Sequence, residues 1–385
     1  MYKRINKASG DSWDNIARQV YGTPSKAGDI AKMNNNISEG EVLVLEEAEG
    51  EDNIKPTGEI FIIHGEEEYN DFSEYSIFDG MEAIKGASFI FNKTESEYNF
   101  NFNDSVSVML EDGLFLNGRV ANIKPNLTKK ANWFQIEVKS HAGILAESVL
   151  PYPFEYANVS IREVLTLVAD IYNQKITFSD EPELDEVFTN EVGTSFTAKK
   201  EESAWNFMRR ICHSRGLLLT DTGNGLFIGR YEPNTEEKIN LIDGVCLGVE
   251  EIRGNFSTVG LGRYYEVNSQ YPTTDSATVQ IPFPVPITKR YNSDDFNALN
   301  LEDVAKRTAC KEIGEHFKLT YLLSENYPLK AGNFAVVQNK KLKINDETDF
   351  IIESVVRKHP DATILTLVLP CAYTFEIPEA LPLCF

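Results

Sequence analysis

The stretch ESAWNFMRRICHSRGLLLTDTGNGLFIG, from Glu202 to Gly229, contains the signals of a helix and of a β-hairpin in direct succession. Its first half ends at Gly216, and a glycine directly after such a run is typical of a helix C-terminus. Its second half has apolar runs on both sides of Asn224 and Gly225, a dipeptide typical of hairpin turns. We therefore predict a helix followed by a hairpin.

A second helix is predicted upstream, in the segment SIREVLTLVADIYN, which begins at Ser160. Ser160 and Glu163 form a capping box, in which the serine oxygen and the glutamate carboxylate bind free amides at the start of a helix. The inward stripe has helical spacing and consists of Ile161, Val164, Leu165 and Val168. These helices and the hairpin define a small α/β domain, to which we assign residues 151–240.

Short alternating segments precede this domain, from Ile60 onward. They read EIFIIHG, ASFIFNK, YNFNFND, SVSVML, GLFLNGRVANI and NWFQIEVKS. Alternation of apolar and polar residues, with Gly, Asn and Asp between the segments, predicts an antiparallel sheet or barrel. In YNFNFND, the aromatic residues Tyr98, Phe100 and Phe102 are predicted to share one face of the core.

The final third of the chain also has mainly strand-like patterns. Strands are predicted near 245–270, followed by the Pro-rich loop QIPFPVPITKRY and one long helix that begins near Leu301. The strand-like runs FKLTYLL, NFAVVQN, DFIIESVVRKH and ATILTLVLP follow the helix. This order predicts a second, mainly β region.

Composition and charge exclude several classes of protein. The chain has 385 residues, 42% of them hydrophobic, and no apolar run approaches the roughly 18 residues that a membrane-spanning helix needs. We therefore expect no membrane partner. A domain usually has roughly 100–200 residues, so we expect three or four domains. The net charge of −22 would repel a phosphate backbone, and no Lys/Arg cluster in the sequence is large enough to offset it. We therefore predict no specific nucleic-acid binding.

Acidic residues are concentrated between Glu46 and Glu82, where thirteen Asp and Glu residues stand against the single Lys55. A charge run of this kind is usually a solvated face, and the alternative is an acidic surface that lines something. The sequence leaves both open. Residues 47–57, EAEGEDNIKPT, contain Gly and Pro and lack periodicity, which predicts an exposed, flexible linker.

The sequence contains no organised catalytic or metal-binding pattern. The five histidines are scattered, and the five cysteines are far apart with no CxxC pair. The run GTSFT, which begins at Gly193, lacks the last glycine of a nucleophile elbow. We therefore predict no enzyme activity, no metal site and no cofactor. The cysteines are interpreted as reduced and mostly buried thiols; they are Cys212, Cys246, Cys310, Cys371 and Cys384.

The first 46 residues have the predicted order strand, helix, helix, strand. The strand-like runs YKRIN and EVLVL enclose the helix-like runs GDSWDNIARQVYG and SKAGDIAKMNN. This region resembles the LysM domain, whose opening motif Gly-Asp-Thr-Leu-x-x-Ile-Ala is matched by GDSWDNIA, from Gly10 to Ala17. The family's closing motif Ile-x-Pro-Gly-Gln-x-Leu is matched by ISEGEVL, from Ile37 to Leu43. The resemblance covers residues 1–46 and implies a βααβ fold.

The LysM resemblance also implies a groove between the loop after the first strand and the loop before the last. In sugar-binding members, backbone amides of these loops bind N-acetyl groups. Carried over to this sequence, the groove residues are Gly10, Asp11, Ser12, Asn34, Asn36 and Ile37. The family's closing Pro and Gln are replaced by Glu39 and Glu41, and the opening MYKRINKASGD carries no secretory signal. We therefore favour docking on a neighbouring protein over sugar binding.

The order of elements after the linker resembles the late-control-D-like family, the baseplate hubs of contractile phage tails and related injection machines. Those proteins have a β-barrel, a small α/β domain with a helix and a Gly-x-Leu hairpin, and a second barrel entered by a long helix. The matching pieces are GLFLNGRVANI, SIREVLTLVADIYN, WNFMRRICHSRGLLLTDTGNGLFI and YPLKAGNFAVVQN with DFIIESVVRKHPDATILTLVLP. The implied fold is α+β and mainly β: the LysM domain, then antiparallel β-barrel domains at 58–150 and 241–385 flanking the α/β domain.

The same resemblance implies a structural role in the tail baseplate of a virion assembled in the bacterial host cytoplasm. Hubs of this kind resemble homotrimers in which two barrels per chain form a six-part ring that matches the hexameric tail tube. The ring would join the tail tube protein to the spike, and DNA or cargo would pass through its channel. Because the sequence ends at LPLCF without a β-helical tail, we expect the spike to be a separate protein. The alternative is a LysM-anchored cell-wall-binding protein or peptidoglycan hydrolase.

Overall fold

The fold is mainly β, as the sequence predicted. The computed structural model describes residues 2–7, 40–45, 60–92, 99–110, 113–127, 132–151, 153–187, 195–232, 234–242, 248–257, 259–269, 276–293, 301–324, 326–359 and 362–381. The chain divides into two compact units, which are Met1–Asn53 with Gly244–Gly248, and Ile54–Asp243 with Val249–Phe385.

The first unit contains an antiparallel strand pair. Strand β1 (Tyr2–Lys7) pairs with β2 (Gly40–Leu45) along its whole length, with Tyr2 opposite Leu45. Both strands lie where the sequence predicted strands at the ends of the LysM-like region. The two helices predicted between them lie outside the described residues, as do the groove residues Gly10, Asp11, Ser12, Asn34, Asn36 and Ile37. The LysM interpretation therefore stays a prediction.

The first β region lies at the start of the second unit. Its strands are β3 (Phe61–His64), β4 (Glu67–Tyr69), β5 (Glu74–Gly80), β6 (Gly86–Phe91), β7 (Ser105–Leu110), β8 (Gly113–Leu127) and β9 (Asn132–Ser140). Side chains alternate between buried and half-buried positions along β6, as expected for a strand with one face in the core. Phe91 and Phe134 stack at 4.9 Å between ring centroids inside this core.

One prediction in this region is wrong: Phe102 does not belong to the core. Phe100 is buried, with 6% of its surface exposed, but Phe102 is 64% exposed. The reason is local, because the Asn101 amide donates to the Asp104 carboxylate at 2.6 Å and closes a turn that contains Phe102. Tyr98 lies outside the described residues.

The insert follows the first β region and contains the helices and hairpin of the predicted α/β domain. Its elements are α1 (Gly143–Glu147), β10 (Glu155–Tyr156), α2 (Ile161–Ile171), β11 (Ile176–Phe178), a 3-10 turn (Pro182–Leu184), β12 (Phe196–Thr197), α3 (Ala204–Ser214), β13 (Leu218–Asp221) and β14 (Leu226–Gly229). Its main sheet has the order β11-β14-β13, with β11 parallel to β14.

Two local predictions for the insert are confirmed. Ser160 and Glu163 form the capping box: the Glu163 amide donates to the serine Oγ at 3.2 Å, and the Ser160 amide donates to the glutamate carboxylate at 2.7 Å. The predicted hairpin is formed by β13 and β14, and the Thr222 amide donates to the Gly225 carbonyl at 3.0 Å across its turn. Short-range sequence signals therefore determined both features.

The second β region completes the chain. Its elements are β15 (Asn234–Ile242), β16 (Val249–Phe256), β17 (Tyr264–Ser269), β18 (Ser276–Gln280), β19 (Thr288–Ser293), α4 (Leu301–His316), β20 (Phe317–Leu323), β21 (Asn333–Asn339), a 3-10 turn (Lys340–Leu342), β22 (Ile344–Lys358), β23 (Ala362–Val368) and α5 (Cys371–Thr374). The long helix predicted near Leu301 is α4. Strands β18, β17 and β19 form a separate small sheet in that order.

The two β regions form one continuous curled sheet. In the described residues its 13 strands follow the path β16-β20-β23-β22-β5-β6-β9-β8-β7-β3-β4, with β21 also on β22 and β15 on β21. The sequence predicted two separate barrels, and the pairing of β5 with β22 is the feature that it missed. Strand β22 is long enough for its first half to pair with β21 and its second half with β5, while β23 occupies its other edge.

Hydrogen bonds beyond the strand ladder stabilise this pairing, which we call the central junction. Five residue pairs are in register, from Gly80 opposite Ser354 to Ser76 opposite Lys358. The Ala331 amide donates to the buried Asp79 carboxylate at 3.0 Å. Because these bonds link residues far apart in sequence, the central junction makes the two β regions one packed body.

The loop of the insert hairpin allows a sharp stability prediction. Gly223 has a φ of +82°, and a Cβ atom there would lie 2.1 Å from the Phe115 carbonyl oxygen in β8. Gly65 has a φ of +62°, but a Cβ there would meet nothing within 4 Å. We expect Gly65→Ala to cost about 1–2 kcal/mol, the usual cost of the left-handed conformation, and Gly223→Ala to cost roughly 1–3 kcal/mol more because of the clash.

Urea unfolding of the two variants and the natural chain measures this difference. Gly65→Ala is the matched control, since it makes the same chemical change at a similar φ. Equal losses of unfolding free energy for both variants would contradict the tight approach of the hairpin to β8.

Candidate functional site

The predicted absence of a metal or catalytic cluster can be compared with the described residues only. Among these residues, no group of three His, Cys, Asp or Glu side chains is placed to hold a metal ion. The histidines belong to different elements; His64 lies 3.2 Å from the Asp104 carboxylate, and His359 stacks on Tyr75. Nor is any helix in the described part of the chain long and apolar enough to span a membrane.

The described cysteines agree with the prediction of free, buried thiols. Cys212, Cys310 and Cys371 are all buried and form no disulfide. Burial raises the pKa of the Cys212 thiol far above its usual range, which favours the protonated thiol. Cys246 and Cys384 lie outside the described residues.

The described part of the acidic stretch, from Ile60 to Glu82, does not form one surface. Glu66, Glu67 and Glu68 are exposed around the turn between β3 and β4. Asp79 is buried and lies 3.2 Å from the Lys85 ammonium, while the half-buried Glu82 contacts a histidine of the insert. Residues 46–59 lie outside the described residues. The solvated-face interpretation therefore holds for the β3–β4 turn, whereas Asp79 and Glu82 have structural partners.

Asp221 attaches the insert hairpin to the first β region. Its carboxylate accepts hydrogen bonds from the Lys85 amide at 2.9 Å, from the Gly223 amide at 2.8 Å and from the Ser140 hydroxyl. Burial raises the pKa of Asp221 above its usual range, although all three donors favour the ionised form. The Asn117 amide in β8 also donates to the Gly223 carbonyl at 2.7 Å. These bonds hold the hairpin in one position.

A second polar cluster joins three parts of the chain at His213. This histidine lies at the end of α3, between Glu82 of the first β region and Lys311 of helix α4. The Lys311 ammonium contacts the Nδ1 atom, and the Glu82 carboxylate contacts the Nε2 atom. Because an ammonium can only donate and a carboxylate can only accept, the partners fix a neutral imidazole that carries its proton on Nε2.

The charges of the cluster agree with this assignment. Burial lowers the pKa of His213 below its usual range in spite of the nearby carboxylate. Burial alone would raise the pKa of Glu82, but the hydrogen bond from His213 and the charges of Lys311 and Arg209 lower it below the usual range. The cluster therefore consists of a neutral histidine, an ionised glutamate and the surrounding cations.

Helices α3 and α4 enclose a cleft of about 440 Å³ beside this cluster, which we call the basic cleft. Its charged lining consists of Lys199, Glu202, Arg209, Arg210, Arg307 and Lys311. The remainder of the lining includes the apolar groups of Val267, Val304 and Tyr291 from the small sheet and from α4. Five cations against one carboxylate give this cleft the opposite sign to the whole chain, whose net charge is −22.

The basic cleft is the feature that sequence reasoning missed. The sequence shows no large Lys/Arg cluster, because these cations come from the loop before α3, from α3 itself and from α4, about a hundred residues later. Arg209 and Arg210 gave the only local signal. Their position on the exposed side of an amphipathic helix did not indicate that a second basic helix would face them.

The small sheet that forms part of the cleft is held on α4 by one carboxylate. Glu312 of α4 accepts hydrogen bonds from the Tyr265 hydroxyl at 2.7 Å, from the Lys289 ammonium at 2.6 Å and from the Tyr291 hydroxyl. Burial and the hydrogen bond to Glu312 raise the pKa of both tyrosines above its usual range. The walls of the cleft are therefore fixed relative to each other.

Strand β16 is an edge strand of the large sheet in the part of the chain that the structure describes. Among the described residues it pairs only with β20, and exposed positions occur on both of its faces. Its exposed side chains include Glu250, Glu251, Arg253 and Asn255. A strand exposed in this way presents unpaired backbone donors and acceptors, and charged side chains are a common protection of such edges.

Comparisons with solved structures place this fold among phage tail proteins. The chain is similar to a 43 kDa tail protein of prophage MuSo2 from Shewanella oneidensis, with 16% identity, a TM-score of 0.69 and coverage of 82% of this chain and 99% of that one. A tail protein from Neisseria meningitidis MC58 gives 15% identity, a TM-score of 0.68 and coverage of 83% and 98%. Prophage tail protein gp18 from Listeria monocytogenes EGD-e gives 12% identity, a TM-score of 0.55 and coverage of 81% of this chain and 94% of that one.

These similarities establish a shared fold. No protein-family model matches the sequence, and no curated protein matches it.

The His213 cluster predicts a specific loss of stability in mild acid. Both His213 and Glu82 have lower pKa values in the folded chain than in the unfolded chain, so the unfolded chain binds more protons as the pH falls. Their contribution to stability is therefore complete above about pH 6.5, the usual pKa of histidine, and decreases below it. We expect His213→Gln to show a smaller loss of unfolding free energy between about pH 7.5 and about pH 5 than the natural chain.

Urea unfolding at several pH values measures this difference. His141→Gln is the control, because His141 is exposed and makes no contact with the cluster. The same pH dependence for His213→Gln and the natural chain would contradict the role assigned to the neutral imidazole.

Proposed function

We propose that this protein is a structural component of a phage-type tail, namely the baseplate hub of a contractile tail or a related injection machine. The observation that carries the proposal is the fold, which extends over 99% of the Shewanella tail protein and 98% of the Neisseria tail protein. Residues 58–150 and 241–385 correspond to the two predicted β domains, and 151–240 to the insert.

The internal bonding of the described unit supports a mechanical role. The central junction, the Asp221 bonds and the His213 cluster each connect segments that are far apart in sequence. A protein between a tube and a spike must transmit force without changing shape, and buried, fully paired polar groups favour a single arrangement of the parts. The proposed role requires no catalytic residues.

The hub proposal includes a homotrimer with two β regions per chain around a central channel. A hexameric tube can be capped by a three-fold object if each chain presents two similar faces, and the open edge of β16 is suited to contact with a neighbouring copy. Exposed acidic groups on β16 and β22 are candidates for the channel wall; they are Glu250, Glu251, Asp346, Glu347 and Asp349. An acidic wall would let DNA pass without binding it.

Ring formation is tested by measuring the mass of the complexes that the chain forms, which gives the number of its copies. Co-purified with the tail tube protein and the spike protein encoded beside it, the chain is expected to give complexes that contain three copies of its 43.4 kDa mass. Native mass spectrometry counts the copies. A monomer in isolation is compatible with the proposal, because ring closure can depend on the partners. A single copy both alone and in the presence of the tube and spike proteins would contradict it.

The LysM-like residues 1–46 are proposed to dock on a neighbouring baseplate or tail protein. Strands β1 and β2 pair with each other, and the region is balanced in charge, with six Lys/Arg and six Asp/Glu through Glu46. Deletion of residues 1–46 is expected to leave the remainder folded and able to form the ring, with loss of one neighbouring protein from purified complexes. Circular dichroism and mass spectrometry of the complexes measure the two effects.

The alternative proposal, a wall-binding protein or peptidoglycan hydrolase, gives opposite results in two assays. It requires micromolar binding of N-acetylglucosamine oligomers that is lost on substitution of Asn34 and Asn36. It also allows release of soluble fragments from peptidoglycan by the purified chain. Either result would favour the alternative over docking on a tail protein.

A further inference from the structure

Two cations of the basic cleft have no hydrogen-bonded or ion-pair partner among the described residues, although the charge of Arg209 acts on Glu82 and that of Lys199 acts on Glu202. Arg210 binds Glu202 through two hydrogen bonds, at 2.8 and 2.7 Å. By contrast, the side chains of Lys199 and Arg209 form no hydrogen bond or ion pair with any residue that the structure describes. Lys199 is exposed and Arg209 is half-buried, so the cleft has positive charge available for a ligand.

The other cations of the cleft are used by the fold. Arg307 donates to the carbonyl oxygens of His213 and Ser214 at 3.1 and 2.5 Å and so binds the C-terminal end of α3. Lys311 contacts the ring of His213. These contacts keep two further positive charges of the cleft lining in fixed positions.

We propose that the basic cleft binds an acidic segment of a partner protein, in which a carboxylate side chain stands next to an apolar one. The carboxylate would bind Arg209 and Lys199, since hydrogen bonds between charged groups are the stronger class. The apolar neighbour would pack on Val304 and Tyr291, which are half-buried and line the same cleft. The inference rests on the proposed function, because a hub assembles with neighbouring proteins.

Charge and size favour a protein segment over a nucleic acid. The net charge of −22 repels an extended polyanion, whereas a single segment can enter the cleft with few other contacts. A volume of about 440 Å³ accommodates a few side chains and is within the usual range of ligand pockets. A duplex would need an extended basic surface along its backbone, and the cations here converge on one cleft.

Fluorescence anisotropy of the full-length chain tests the inference. The probe is a labelled peptide of sequence Glu-Leu-Glu-Asp-Leu-Glu, and the control probe is its amide analogue Gln-Leu-Gln-Asn-Leu-Gln. We expect the acidic peptide to bind, the amide peptide not to bind, and about 0.5 M salt to abolish binding by screening. Lys199→Glu and Arg209→Glu are each expected to weaken binding about tenfold or more, the usual effect of losing a charged hydrogen bond.

Lys200→Glu is the matched control variant. It makes the same charge reversal next to Lys199, on an exposed side chain that does not line the cleft. We expect it to bind the acidic peptide as the natural chain does. If it weakens binding as much as Lys199→Glu, the attraction is a general field effect and the inference is wrong. Arg209→Gln provides a milder change if circular dichroism shows that Arg209→Glu fails to fold.

Three further results would overturn the inference. The first is absence of acidic-peptide binding at low salt. The second is evidence of a phosphate site. This evidence would be either binding of a single-stranded oligonucleotide that Arg209→Glu weakens as much as it weakens peptide binding, or displacement of the peptide by inorganic phosphate. The third is a self-association of the natural chain that Arg209→Glu abolishes, which would make a second copy the occupant. If the acidic peptide does not bind but the trimer forms with the tube and spike proteins, only the inference about the cleft is rejected.

Discussion

The pairing of β5 with β22 is the interaction on which the rest of the described structure depends. It joins strands separated by some 270 positions in the sequence and is the only strand pairing between the two β regions in the described residues. Without it, the path would divide into one sheet that runs from β5 to β4 and another that runs from β22 to β16, each with an additional open edge. The buried Asp79 carboxylate and the backbone bond from Met81 to Glu353, at 2.9 Å, extend the same junction beyond the ladder.

Polar and apolar contacts both attach the insert to this sheet, since Leu218 of the hairpin packs with Ile351 and Val368. Asp221 receives three hydrogen bonds, and bonds to a charged group contribute about 1.5–3 kcal/mol each, so this residue is a large part of the attachment. His213 and Glu82 provide a second attachment at the C-terminal end of α3. Because the buried charges are fully paired, loss of one partner would leave the other desolvated and would cost more than the pair contributes.

Sequence patterns predicted the features that depend on neighbouring residues and missed those that depend on contacts between distant parts of the chain. The capping box of Ser160 and Glu163, the hairpin after α3 and the start of α4 were all predicted, because each depends on residues within a few positions of one another. Phe102 was misplaced because a turn stabilised by Asp104 interrupts the alternation. The pairing of β5 with β22 depends on tertiary contacts that no local sequence periodicity encodes. The same is true of the cleft that Arg209 and Lys311 both line.

The central junction is expected to make the two β regions one cooperative body. Hydrogen exchange followed by mass spectrometry or NMR tests this directly at the backbone amides of β5 and β22. The account predicts that amides around Phe78 and Val356 exchange as slowly as those in the cores of both β regions, such as Phe89 and Leu365, and with the same denaturant dependence. Faster exchange at the junction, with the two β regions opening separately, would contradict it.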